Sequence, residues 1–131
     1  MTTPTLNRIL YVEDEADIQA VAQLALEAIG GFSVTICISG KEAVHVASEL
    51  SHDLILLDVM MPDMDGPSTL KALRGLPQTA ATPVIFMTAK VQPHEVAQYK
   101  ALGAIGVIAK PFDPMKLSAE VGELWNKHTG N

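Results

Sequence analysis

Three acids, one hydroxyl and one lysine stand out because each closes a short apolar run. Glu13 and Asp14 follow RILYV, Asp58 ends LILLD, Thr88 ends PVIFMT, and Lys110 follows AIGVIA. An ionised side chain at the mouth of a core segment loses part of its hydration. Asp58, after the unbroken apolar run 54–57, is the hardest of the five to explain without a chemical role. Three neighbouring carboxylates raise one another's pKa unless a cation joins them. A hard divalent ion such as Mg²⁺ takes a few protein oxygens and keeps waters or phosphate oxygens in its other positions. Glu13, Asp14 and Asp58 therefore read as an open Mg²⁺ site. Phosphoryl transfer needs a nucleophile, a metal, and donors for the equatorial oxygens. Asp58 is a competent oxygen nucleophile able to form an acyl phosphate, Lys110 offers a point charge and Thr88 a hydrogen bond.

Taken singly, these residues have ordinary explanations: Asp14 as a helix cap, Thr88 as a strand-end residue, Lys110 as a solvated charge. Only a fold that brings them together changes that, and the apolar pattern implies one. Short packets at 8–12, 32–38, 54–58, 83–88 and 104–109 are rich in Val, Ile and Leu and mostly continuous, the pattern of parallel strands covered on both faces. Between them lie helical segments. The first is capped by Asp14 or Glu15, turns Ile18, Ala22, Ala25 and Ile29 inward, and stops at Gly30-Gly31. The second follows Ser39 and carries Ala43, Val44, Ala47 and Leu50. A third spans 67–74 with Leu70 and Leu73 inward, a fourth follows Pro93 and stops at Gly103, and a fifth starts near Asp113-Pro114 with Leu117, Val121 and Leu124. Five strands alternating with five helices imply a doubly wound α/β domain with right-handed crossovers. In such sheets ligands bind beyond the carboxyl ends of the strands, which is where the five residues collect.

The 131 residues suit one domain, expected over 1–131 with no effector domain after the fifth helix. A net charge of −6 without a Lys/Arg cluster argues against a nucleic-acid surface. No apolar stretch is long enough to span a bilayer and no signal-peptide pattern opens the chain, so a cytoplasmic location is expected. Cys37 reads as a buried strand residue. His45, His52, His94 and His128 fall in helices or linkers with solvated or structural roles, and no His/Cys cluster suggests zinc.

The motifs ILYVEDE, LILLDVMMPDMDG, PVIFMTAK and GAIGVIAKPF, in this order and spacing, closely resemble the receiver domain of two-component response regulators over nearly the whole chain. The resemblance implies a flavodoxin-like five-stranded parallel sheet in the order 2-1-3-4-5 with five helices. It implies Asp58 as phosphoacceptor, with Glu13 and Asp14 as the acidic pair and the Met60 backbone carbonyl as a further Mg²⁺ ligand. Thr88 becomes the switch hydroxyl and Lys110 the phosphate-binding lysine, with a cis bond expected at Lys110-Pro111. Pro62 and Gly66 shape the loop after Asp58. The implied function is that of a phosphoacceptor in a phosphorelay, not an enzyme acting on a separate substrate. The implied partners are a sensor histidine kinase or histidine phosphotransfer protein and a downstream protein target, with no nucleic acid and no membrane. The resemblance also leaves room for a dimer formed on phosphorylation. Output would run through the fourth helix, fifth strand and fifth helix, where Trp125 and Leu124 are expected mainly to pack.

Two departures from the family pattern, at three positions, matter. Val107 stands where many receivers carry the Tyr or Phe whose ring reports phosphorylation, and Met60 and Lys90 occupy positions that tune phosphoryl lifetime. A phosphorylation-independent interaction module is the alternative that Val107 sustains. An aspartate-nucleophile phosphatase would carry a second acid where Met60 stands. A flavin or nucleotide binder would need a phosphate loop where the acidic VEDEAD runs.

Overall fold

The computed structural model describes residues 5–130, so residues 1–4 and 131, the ends of the expected 1–131 unit, lie outside the described residues. The apolar packets become five parallel strands, β1 (Arg8–Val12), β2 (Ser33–Cys37), β3 (Leu54–Asp58), β4 (Val84–Thr88) and β5 (Gly106–Ala109), in the order β2-β1-β3-β4-β5. The helices are α1 (Ala16–Leu24), prolonged by a π turn over Ala25–Ile29, then α2 (Gly40–Ala47), α3 (Gly66–Arg74), α4 (Pro93–Ala101) and α5 (Leu117–Thr129).

Every residue of β3 and β4 is buried. Successive strand residues face opposite sides, so one apolar run fills two cores. Ile9, Tyr11, Leu54, Leu56, Ile85 and Met87 pack with Ala22, Leu26, Leu117, Val121 and Trp125 of the α1–α5 layer. Leu10, Val12, Ile55, Leu57, Val84 and Phe86 pack with Ala43, Ala47, Leu70 and Leu73 of the α2–α3 layer. Trp125 therefore belongs to the core, as expected, and Leu124 is partly buried against it.

Two apolar positions named on the helices do not reach the core. Ile29 is 51% exposed while Leu26 is fully buried, because the π turn closes Gly30 N–H onto the Ala25 carbonyl. The wider turn delays the helical phase, moving Leu26 under the sheet and Ile29 out. Leu50 is also exposed, since α2 ends at Ala47 and the chain has left the helix before that residue. The fifth helix begins at Leu117, after a turn, rather than near Asp113-Pro114.

Local chemistry sets the helix starts. The Ser39 hydroxyl accepts from Glu42 N–H and the Asp65 carboxylate from Ser68 N–H, giving α2 and α3 side-chain caps. α1 instead starts from Glu15, with no side-chain cap bond. α4 opens on a Gln92–Glu95 capping box with Pro93 in its first turn. Gly66 is required by close approach: a Cβ there would stand 2.7 Å from the Asp58 carbonyl oxygen and 2.8 Å from Val59 Cα. The Lys110-Pro111 bond is cis, as the resemblance implied.

Candidate functional site

Main-chain bonds continue the sheet past the last strand residues and tie the site loops to one another. Glu13 N–H donates to the Cys37 carbonyl at 3.0 Å, Val59 N–H to Met87 at 3.1 Å, and Lys110 N–H to Thr88 at 2.9 Å. Consecutive carboxyl ends are thus locked at one edge, and the five residues named above meet there. Lys110 Nζ donates to Glu13 Oε1 at 2.8 Å and to Asp58 Oδ1 at 3.1 Å. Glu13 is fully buried and Asp58 only 3% exposed, so the ammonium lies between two dehydrated carboxylates. Carboxylate oxygens of Glu13, Asp14 and Asp58 all come within 4.8 Å of one another, forming the one such acidic group found among the described residues. A cavity of about 140 Å³ opens above, lined by Glu15, Asp58, Met60, Thr88, Ala89 and Lys110. Thr88 is buried, and its Oγ1 accepts from Lys90 N–H at 3.1 Å, leaving the hydroxyl proton available to donate.

Charge imbalance dominates the electrostatics. Asp58 is pushed up to about 6, first by burial and then by the charge of Glu13, against the pull of Lys110. Burial alone would lower Lys110, but its hydrogen bonds to Glu13 and Asp58 outweigh that and raise it. One ammonium cannot neutralise three acids, so the set still lacks positive charge. A hard, oxygen-loving divalent cation fits that deficit. The oxygens are close enough to share one ion, and soft donors are missing from the group.

Some neighbours were not evident as site residues in the sequence. Tyr11, fully buried in β1, directs its hydroxyl at Glu13 Oε1 at 3.4 Å, and burial followed by the charges of Glu13 and Asp58 raises its pKa. Glu15 N–H donates to Glu13 Oε2 at 3.3 Å, and the Gln19 amide donates to the Glu13 carbonyl. These contacts hold Glu13 from three sides. The only hint was a polar-tipped ring placed two residues before an acid in an otherwise aliphatic strand. Cys37 is buried and its thiol is pushed up to about 12 by burial and then Glu42, which makes it inert. His52 Nε2 pairs with Thr35 Oγ1 at 3.0 Å, and His45 lies 3.8 Å from Glu49. Neither histidine joins the acids.

This fold, with an acidic cluster and a lysine at the carboxyl edge of its parallel sheet, is shared by known signalling proteins. The chemotaxis response regulator CheY4 of Vibrio cholerae superposes with a TM-score of 0.84 at 32% identity, covering 92% of this chain and 99% of its own. The receiver domain of sensor histidine kinase PA1611 from Pseudomonas aeruginosa, solved with magnesium in its active-site cleft, gives 0.79 at 28% identity and covers 97% and 100%. Response regulator SaeR of Staphylococcus aureus is 35% identical over 119 residues, covering 91% of this chain. The chain spans about half the length of that relative. The family model for the response regulator receiver domain matches residues 9–122. The chain belongs to the response regulator receiver family of two-component systems.

Proposed function

We propose that this receiver accepts a phosphoryl group on Asp58 from a phosphohistidine of a sensor kinase or phosphotransfer protein, and that the transfer depends on Mg²⁺. The observation carrying this reading is the placement of Lys110 Nζ within hydrogen-bonding distance of both Glu13 and Asp58, at 2.8 and 3.1 Å. A phosphoacceptor needs a carboxylate held in place and a cation beside the incoming oxygens. Glu13, Asp14, Asp58 and the Met60 carbonyl would hold Mg²⁺, which when bound offsets the negative charge of the phosphoryl group.

Lys110 engages Oδ1, so the other oxygen of Asp58 attacks phosphorus. The P–O bond forms as the P–N bond to histidine breaks, and the imidazole leaves with the bonding pair and takes up a proton. Thr88 donates its hydroxyl proton to one new phosphoryl oxygen while Lys110 moves to another. That rearrangement breaks the Lys110–Asp58 contact and biases an existing equilibrium between two surface conformations toward a downstream protein partner. Val107 is only half-buried opposite Phe86 and has no ring to rotate. The response in this chain then rests on Thr88 and the segment around Ala89 and Lys90.

The phosphodonor docks beside α1, where a cavity of about 260 Å³ lined by Ile18, Val21, Pro111 and Phe112 adjoins Lys110. Water later hydrolyses the acyl phosphate, so the protein processes no substrate other than its own side chain. The receiver forms one unit and works in the cytoplasm; among the described residues no helix is long and apolar enough to cross a membrane.

The test is intact-protein mass spectrometry after incubation with a small acyl phosphate donor and Mg²⁺. One added phosphoryl group, lost when the metal is chelated beforehand, is the expected result. An unchanged mass would favour the phosphorylation-independent module.

A further inference from the structure

Among the described residues the methionines range from buried to exposed, with Met64 intermediate. Met87 is fully buried and Met61 nearly so, whereas Met60 is 69% exposed and Met115 is 73% exposed. Of the two thioethers exposed among the described residues, Met60 lines the cavity that holds Asp58, Thr88 and Lys110, whereas Met115 lines a separate apolar hollow beside Val21, Leu24 and Ile29. The rim of the Asp58 cavity offers little to orient a water molecule. Ala89 has no polar side-chain atom, a thioether is a weak acceptor, and Glu15 contributes an acidic side chain, the wrong sign to sit beside a phosphoryl dianion.

Building on the phosphoacceptor reading above, we propose that Met60 is an oxidation site that controls the lifetime of the phosphoryl group on Asp58. Hydrogen peroxide transfers one oxygen to the exposed sulfur: the O–O bond breaks, an S–O bond forms, sulfur is oxidised by two electrons, and water leaves. The sulfoxide is neutral and polar, with a strong acceptor oxygen. At the cavity rim that oxygen accepts a hydrogen bond from an incoming water and holds it facing phosphorus. The water oxygen then forms a bond to phosphorus as the P–O bond to Asp58 breaks. Inorganic phosphate departs, the Asp58 carboxylate is regenerated, and the water's proton passes to solvent. The reduced thioether leaves the same water unoriented. Oxidative conditions would thus shorten the signal without touching the acids or the lysine, and methionine sulfoxide reduction would restore it.

The experiment loads the protein with phosphoryl groups from a small donor and Mg²⁺, removes the donor, and follows decay by intact mass with and without peroxide. Peptide mapping reports which methionines carry oxygen. Loading is measured before peroxide is added, so a chain that takes no phosphoryl group refutes the phosphoacceptor reading, and this inference with it, at that separate step. For wild type, Met60 sulfoxide should accelerate decay by roughly three- to tenfold, the range one oriented hydrogen bond supplies, and a sulfoxide reductase should reverse the change. Met115→Leu should respond to peroxide as wild type does, while the decay of Met60→Leu should be the same before and after treatment. The proposal is overturned if mapped Met60 sulfoxide leaves decay unchanged, if Met60 resists peroxide, or if Met60→Leu responds as wild type does.

Discussion

The carboxyl edge of β1 and β3 and the face made by α4 and β5 are held in opposite ways. At the edge, Glu13 and Asp58 are buried, tied to Lys110, and seated on strands packed on both sides. On the other face, α4 buries none of its residues. Tyr99 is half-buried against Phe86, with ring centroids 5.3 Å apart, and serves as its aromatic anchor. β5 has only four residues, and Val107 within it is half-buried. Chemistry needs groups fixed within fractions of an ångström, whereas a reporting surface must shift for a small free energy. Thr88 ends β4, the strand between the two regions, and Lys110 directly follows β5 while bonding to Glu13 and Asp58, so these two site side chains join one region to the other.

The comparison breaks most completely at Asp58. Asp58→Asn should abolish stable phosphorylation while the fold survives, judged by labelling and circular dichroism together; full labelling of this variant would move the acceptor elsewhere. Lys110→Ala removes the ammonium between two carboxylates. It should slow labelling by roughly 10²-fold, the scale of one lost charge-stabilising donor, and unchanged labelling and conformational response would contradict its role.

A third effect concerns the charge stored at the rigid edge. Asp58 stands at about 6 against an ordinary 3.8, so the folded chain holds a proton there that the unfolded chain has already released. Its contribution to stability therefore declines as pH rises through that interval and stays lost above it. In metal-free protein, Asp58→Asn should raise thermal stability near neutral pH by roughly 1–3 kcal/mol. The gain should shrink as pH falls from about 6 and disappear below about pH 3, where the wild-type carboxyl is protonated in both states. A pH-independent difference would show that packing, not charge, separates the two proteins. The smallest effect sharpens the other side: Tyr99→Ala should cost about 1–2 kcal/mol and speed amide exchange in α4 while leaving β3 protected. Equal acceleration in both would erase the contrast.

Much of the rigid edge was legible because two signals coincide there. Continuous apolar runs mark buried parallel strands, and the first polar residue after each run falls at the carboxyl end of the sheet. The burial of Asp58, Thr88 and Glu13 follows from that adjacency alone. Position along the chain does not report helical phase, however, so the π turn that carries Ile29 outward was illegible. Leu50 failed for a related reason: apolar spacing continues past Ala47, but the helix does not. Tyr11 counted as one more apolar strand residue, because only the folded geometry shows its hydroxyl reaching Glu13. The looseness of α4 was equally hidden, since its sequence resembles an ordinary surface helix until its lack of buried residues is seen.

The central claim is that the phosphoryl group bonds to the side chain of residue 58. Borohydride reduction traps an aspartyl phosphate by converting that residue to homoserine, which peptide sequencing locates. After treatment with a phosphodonor and Mg²⁺, homoserine is expected at position 58 and should be missing when the metal is chelated. Homoserine at another acid, or none in protein shown by mass to be phosphorylated, would contradict the account.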